Sequence, residues 1–246
     1  MKTTRILSLI TVFVALIANF GTLSAQEQTT LKHFRTLKGH SYTPNSVSWN
    51  ADGSCLASGA NDGIVIVWDA KSGAKLKTFE GHSGKVNSVA WSADGRYLAS
   101  GSGEENIIIW DSKSGERLQT FEGHSYCVTS VSWSPEGRNL ASSSGFFYLG
   151  EYIGELFIWD ANSGEKLQTF EGYSSWVNSV SWSPDGRKLA SGSLDKTVVI
   201  WDSKSGSKLQ TLDDHSAVVN SVAWSPDGKK LVSSSSDNNV IIWSVE

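Results

Sequence analysis

The chain has 246 residues, 39% of them hydrophobic and 19% charged, with a net charge of −4. This mildly acidic balance excludes a general nucleic-acid binder, which needs Lys and Arg to neutralise phosphates.

Residues 1–25 stand apart from the rest. Lys2 and Arg5 make a basic start, Ile6 to Phe20 is an apolar run, and Gly21 to Ala25 are mostly small residues ahead of polar Gln26-Glu27-Gln28. That order predicts a secretory signal peptide cut after Ala25, and hence an exported protein, periplasmic or secreted. The alternative is an uncleaved N-terminal membrane anchor, for which the run is slightly short against roughly 20 apolar residues. Residues 26–32 read as a short linker.

From residue 33 onward the chain repeats itself. Trp-Asp stands at Trp68-Asp69, Trp110-Asp111, Trp159-Asp160 and Trp201-Asp202, and a fifth copy is Trp243-Ser244. The Trp spacings are 42, 49, 42 and 42. A Gly-His pair runs ahead of most of them, at Gly39-His40, Gly81-His82 and Gly123-His124, decaying to Gly172-Tyr173 and Asp214-His215. A period of this length means one supersecondary unit copied and stacked. Cys55 and Cys127 fall at different positions of different repeats, so both thiols are expected to be free.

Within one copy, Val86–Trp91 is a short run of β-formers, followed by a Ser-Ala-Asp-Gly turn. Arg96–Ser100 gives a second strand, and Ile107–Trp110 is a continuous apolar run, as expected of a strand covered on both faces. Arg117–Phe121 is more polar, which suits an edge. Each unit is thus a four-stranded antiparallel meander, and such sheets bury both faces only by stacking around an axis. The expected fold is all-β, a β-propeller of five four-stranded blades over residues 33–246. The sequence holds first, second and third strands five times but a following fourth strand only four times. His33–Lys38 matches Lys75–Glu80, so this N-terminal segment is expected to close the last blade as its fourth strand.

The five copies resemble the WD-repeat (WD40) β-propeller family, marked by Gly-His near the start and Trp-Asp near the end of each unit. The resemblance covers about residues 33 to 246. It implies a hydrogen-bonded tetrad of His, Ser, acid and Trp inside each blade. By position these are His40, Ser58, Asp62 and Trp68; His82, Ser100, Glu104 and Trp110; and His215, Ser233, Asp237 and Trp243. The fourth repeat keeps Ser191, Asp195 and Trp201 but has Tyr173 for the His. The third keeps His124, Ser142 and Trp159, with no clear acid because of an insertion. Those two blades are expected to be held less firmly. A Ser-His-Asp set suggests a catalytic triad or a metal site, but a nucleophile is needed once and a structural network in every blade. No catalytic residue, metal or cofactor is therefore expected.

The resemblance also places the loops joining fourth to first strands and second to third strands on one face, where partners dock. The framework repeats almost verbatim while residues at those loops vary, including Tyr42, Lys85, Tyr126 and Leu194. Asn45, Asn87, Asn178 and Asn220 recur nearby, with Thr129 in the third copy, and should ring the channel mouth. The seven-residue excess of the third repeat carries Phe146, Phe147, Tyr148 and Tyr152, and Trp176 opens the next repeat. Two readings stand side by side. The rings form a patch that binds a protein or peptide, or the insertion lengthens the hairpin and packs its rings on the blade. The expected function is a non-enzymatic interaction scaffold, with no nucleic-acid partner and no membrane contact after signal removal. The alternatives are a self-associating structural protein from an open array, an enzyme using the channel mouth, or a carbohydrate binder.

Overall fold

A computed structural model describes residues 33–148, 151–172 and 175–245. The expected signal peptide (1–25) and linker (26–32) lie outside them. Among the described residues the regular elements are all β-strands, grouped in five antiparallel sheets. The first blade is β1 (Pro44–Trp49), β2 (Cys55–Ala60), β3 (Ile64–Asp69) and β4 (Lys75–Glu80). The second is β5 (Val86–Trp91), β6 (Tyr97–Ser102), β7 (Ile107–Asp111) and β8 (Arg117–Phe121). The third is β9 (Val128–Trp133), β10 (Asn139–Tyr148), β11 (Glu151–Asp160) and β12 (Lys166–Thr169). The fourth is β13 (Val177–Trp182), β14 (Lys188–Ser193), β15 (Val198–Asp202) and β16 (Lys208–Leu212). The fifth has β17 (Val219–Trp224), β18 (Lys230–Ser235) and β19 (Val240–Ser244).

The apolar third strands sit mid-sheet and are buried where a blade lies on each side. Ile107, Ile108 and Ile109 are at most 2% exposed; Ile107 and Ile109 pack with Val128, Val131 and Phe121 in the seam to the third blade, and Ile108 packs with Val65, Val67 and Phe79 in the seam to the first. Covering such a side chain fully contributes about 1.5–3 kcal/mol, so the seams between blades are the core. The Asp of each Trp-Asp turns the chain into the fourth strand. Asp111 Oδ1 accepts the amides of Lys113 and Ser114 at 3.0 and 2.6 Å, and Gly115 then takes a φ of +83°, which a Cβ disfavours.

Every first strand carries a bulge at one position. The register skips Asn45, Asn87, Thr129, Asn178 and Asn220. A bulged residue leaves the ladder and re-aims its side chain. Asn45 donates to the Val86 carbonyl at 2.9 Å, Asn87 to Val128 at 2.8 Å and Asn178 to Val219 at 2.9 Å. Thr129 does the same to Val177. These residues tie each blade to the next.

One expectation fails. Residues 33–40 form no strand, and among the described residues the last sheet has three strands, with β19 paired to β18 alone. The N-terminal segment does not close the fifth blade. It lies against the first blade instead, where a Cβ on Gly73 would collide with Arg35 and Leu37. The first and fifth blades are left with apolar side chains in solvent: Val47 is 42% and Ile242 68% exposed.

Candidate functional site

Two kinds of site lie in these blades: the buried polar clusters and the loop face. In the first blade the Ser58 hydroxyl accepts the Trp68 indole N–H at 2.8 Å and bonds His40 Nε2 at 2.7 Å. His40 Nδ1 meets Asp62 at 3.0 Å, and Asp62 also accepts the amide of Ser41. The fifth blade repeats this with Trp243, Ser233, His215 and Asp237, the last bond at 2.8 Å. Burial opposes ionisation of Asp237, but bonds from His215, Asn239 and Ser216 win and bring its carboxyl down to about 2.

The third blade is not without an acid. His124 Nδ1 bonds Glu155 at 2.9 Å, and Ser125 N–H and Ser144 Oγ donate to the same carboxylate. Ser142 links His124 and Trp159 as in the other blades. The insertion lengthens β10 and β11, so the acid comes from within β11, opposite Ser144, rather than from the turn. Its distance from the His is 31 residues rather than 22, and from the Trp four rather than six, so neither spacing points to it. Burial raises the Glu155 pKa, but its hydrogen bonds, chiefly from His124, lower it further, to about 2. Burial lowers that of His124. The pair is therefore a carboxylate and a neutral imidazole carrying its proton on Nδ1.

The second blade reverses the case. Glu104 stands at the expected spacing yet bonds the amide of Gly84, and the buried His82 Nδ1 has no bond to the acid and only a loose one to the Asn106 side chain. The Glu104 side chain is one methylene longer than Asp and lands one residue beyond the amide that Asp62 takes in the first blade. In the fourth blade Trp201 donates to Ser191 at 2.9 Å, and Asp195 bonds Thr197. Tyr173 lies outside the described residues. The linking hydroxyls Ser100, Ser142, Ser191 and Ser233 are at most 1% exposed, and each accepts an indole N–H. Their burial and the indole bond suit a structural link inside each blade. Among the described residues no three His, Cys, Asp or Glu gather as metal ligands. Cys55 and Cys127 are free.

On the loop face, a backbone bond joins the two loops of each blade: Asn61 N to Thr43 O, Gly103 N to Lys85 O, Gly145 N to Cys127 O, Leu194 N to Trp176 O and Ser236 N to Val218 O. The varied positions are thereby gathered on one side. Tyr42 is 68% exposed and Lys85 is exposed, whereas Leu194 is half-buried. A cavity of about 770 Å³ there is lined by Thr129, Asn178, Asn220 and neighbouring Ser residues.

The rings of the insertion differ in how far they pack on the fourth blade. Tyr126 stacks on Phe146 with centroids 5.8 Å apart and planes within 5°. Trp176 of the next blade lies over Gly145, where a Cβ would collide with the indole, and Gly154 is pressed equally close to Ser175. These paired glycines let the long hairpin bear on the fourth blade. Farther out, Phe147 and Tyr152 pair across the strands at 4.7 Å and remain 49% and 45% exposed. Tyr148 is opposite Glu151 in the register.

Comparison with known proteins agrees with this architecture. The family model for the WD domain, G-beta repeat, matches residues 31–69, 73–111, 115–145, 164–202 and 206–244. The chain belongs to the WD-repeat family, whose repeats generally serve protein–protein interaction rather than catalysis. It is similar to the WD repeat-containing protein slp1 of Schizosaccharomyces pombe, 51% identical over 37 residues. That stretch is 15% of this chain and 8% of the relative, about one blade.

Proposed function

We propose that the protein is a non-enzymatic scaffold that binds a protein or peptide on its loop face, with the β10–β11 hairpin as the main contact. The observation that carries this reading is the solvent-exposed Phe147–Tyr152 pair on strands of ten residues, where the strands of the other blades have five or six. Rings that are already held by packing lose little freedom on binding, and aromatic anchors of this kind dominate interface energetics. Tyr42, Lys85, Tyr126, Phe146, Tyr148, Trp176 and Leu194 complete the contact surface. Residues 1–25 support export, so the partner is extracytoplasmic. The test is selection of binding peptides from a displayed library on the wild-type chain. A Phe147→Ala, Tyr152→Ala variant with unchanged Tm should bind the selected peptides at least about tenfold more weakly, the range for loss of an aromatic anchor. Equal binding removes the hairpin from the site.

A further inference from the structure

The two ends of the blade array carry the two halves of one more seam. Between successive blades the same bond recurs. The Ser46 hydroxyl accepts the amide of Val89, Ser88 that of Val131, Ser130 that of Val180 and Ser179 that of Val222, at 3.1, 3.1, 3.3 and 3.2 Å. Among the described residues Ser221 continues the series with no further blade set against it, and Val47 begins it with none ahead of it.

The outer layer tells the same story. The fourth strand of one blade rests on the turn glycine of the next: Phe79 on Gly115, and Phe121 on Gly164. Leu37 rests on Gly73 in the same manner. Residues 33–38 therefore already occupy the place of a fourth strand from a blade ahead of the first. At the opposite end, β19 offers an unpaired edge, with Val240 and Ile242 56% and 68% exposed where Val198 and Ile200 of the fourth blade are 0% and 7%.

We propose that the missing partner is a second copy of this chain. Residues 33–38 of one copy add to β19 of another as its fourth strand, and the first blade of the former packs on the fifth blade of the latter. Alignment with the first blade, where Phe79 stands opposite Val65 and Thr78 opposite Ile66, sets Leu37 opposite Val240 and Thr36 opposite Ile241. The four internal seams are the template, so the contact joins unlike ends, and each added copy presents the same two ends again. Joining the ends of one chain would require each blade to turn about 72°, against about 51° in a seven-blade ring, and in the structure those ends stand uncovered.

Disulfide trapping tests this directly. Full-length chains first lose their native thiols by Cys55→Asn and Cys127→Val, the residues found at the same repeat positions at Asn139 and Val218. They then carry Thr36→Cys, Ile241→Cys or both, with tryptophan fluorescence confirming the fold. After mild oxidation, a mixture of the two single variants should give a band of twice the mass at least fivefold above either alone, and the double variant a ladder of dimer and higher species. Three results overturn the proposal. An internally linked monomer as the sole product of the double variant means the ring closes on itself. Equal dimer from either single variant alone means like ends meet. No cross-link in any sample means that β19 takes no strand from this chain.

Discussion

The second and third blades hold the same His, Ser and Trp, and each has a glutamate for its acid. In the third, Glu155 reaches His124 at 2.9 Å; in the second, Glu104 passes His82 and bonds Gly84. The difference lies in where the backbone puts the carboxylate. Glu104 sits in a tight turn at the point where other blades use Asp, so its extra methylene carries it too far. Glu155 sits in a strand, set back from the turn by the longer hairpin, and there the added length is what spans the gap. The same side chain completes one cluster and leaves the other with a buried imidazole that its acid does not reach.

Breaking the better cluster should have the largest effect. Glu155→Ala leaves the Nδ1–H of His124 and the hydroxyl of Ser144 without their acceptor, both in buried residues. Orphaning donors of a charge-assisted network costs about 3 kcal/mol, a fall of about 8 °C in Tm for a domain of this size. Calorimetry of the variant checks it. A Tm within 1 °C of wild type would show that the cluster does not hold the blade.

Acid should reveal the same contrast in two stages. Burial lowers the pKa of both His82 and His124 below the ordinary 6.5. Below that pH the unfolded chain takes up protons that the folded imidazoles refuse, so stability falls as pH drops through 6.5. Glu155 ionises near 2 when folded and near 4.5 when unfolded. Its contribution is complete above 4.5 and is lost as pH falls from there toward 2. Because that carboxylate keeps some contact with solvent, the second stage is worth about 2 kcal/mol or less after screening. Tm measured from pH 8 to 3 should show both declines in wild type, and a smaller second decline in Glu155→Ala. Identical acid limbs in the two proteins would remove Glu155 from the account.

Much of this was legible in the sequence because it repeats. The strand positions, the turn acids and the Ser–Trp pairs follow from five copies in register, and one blade explains the others. The acids show where that legibility stops. A His-to-acid spacing of 22 reports the backbone frame of the turn, not the reach of the side chain. It therefore pointed to Glu104, which misses its His, and passed over Glu155, which meets its own. The N-terminal segment failed for a different reason. Its likeness to a fourth strand is real, and it lies on Gly73 as a fourth strand should. Strand identity is local, however, whereas pairing with β19 depends on the angle accumulated over all the blades, which no single repeat encodes. The aromatic insertion could not be divided by composition either; only the glycine pair Gly145–Gly154 decides which rings are pressed inward.

The smallest expected effect is also the most discriminating. Glu104→Asp shortens the acid to the length used in the first and fifth blades, where Asp62 and Asp237 meet the imidazole at 3.0 and 2.8 Å. The new carboxylate should leave Gly84, whose amide is near the surface and can turn to water, and accept the buried Nδ1–H of His82. Exchanging a part-buried amide bond for one to a buried, loosely held donor should add about 1 kcal/mol, a rise of about 3 °C in Tm. It should also raise the pKa of His82, because a carboxylate bonded to Nδ1–H favours the protonated ring against the burial that now lowers it. NMR titration of the ring protons reads that shift separately from stability. A gain in stability without any upward movement of the His82 titration would mean that the shorter chain acts on the turn itself, and length alone would no longer explain why the two blades differ.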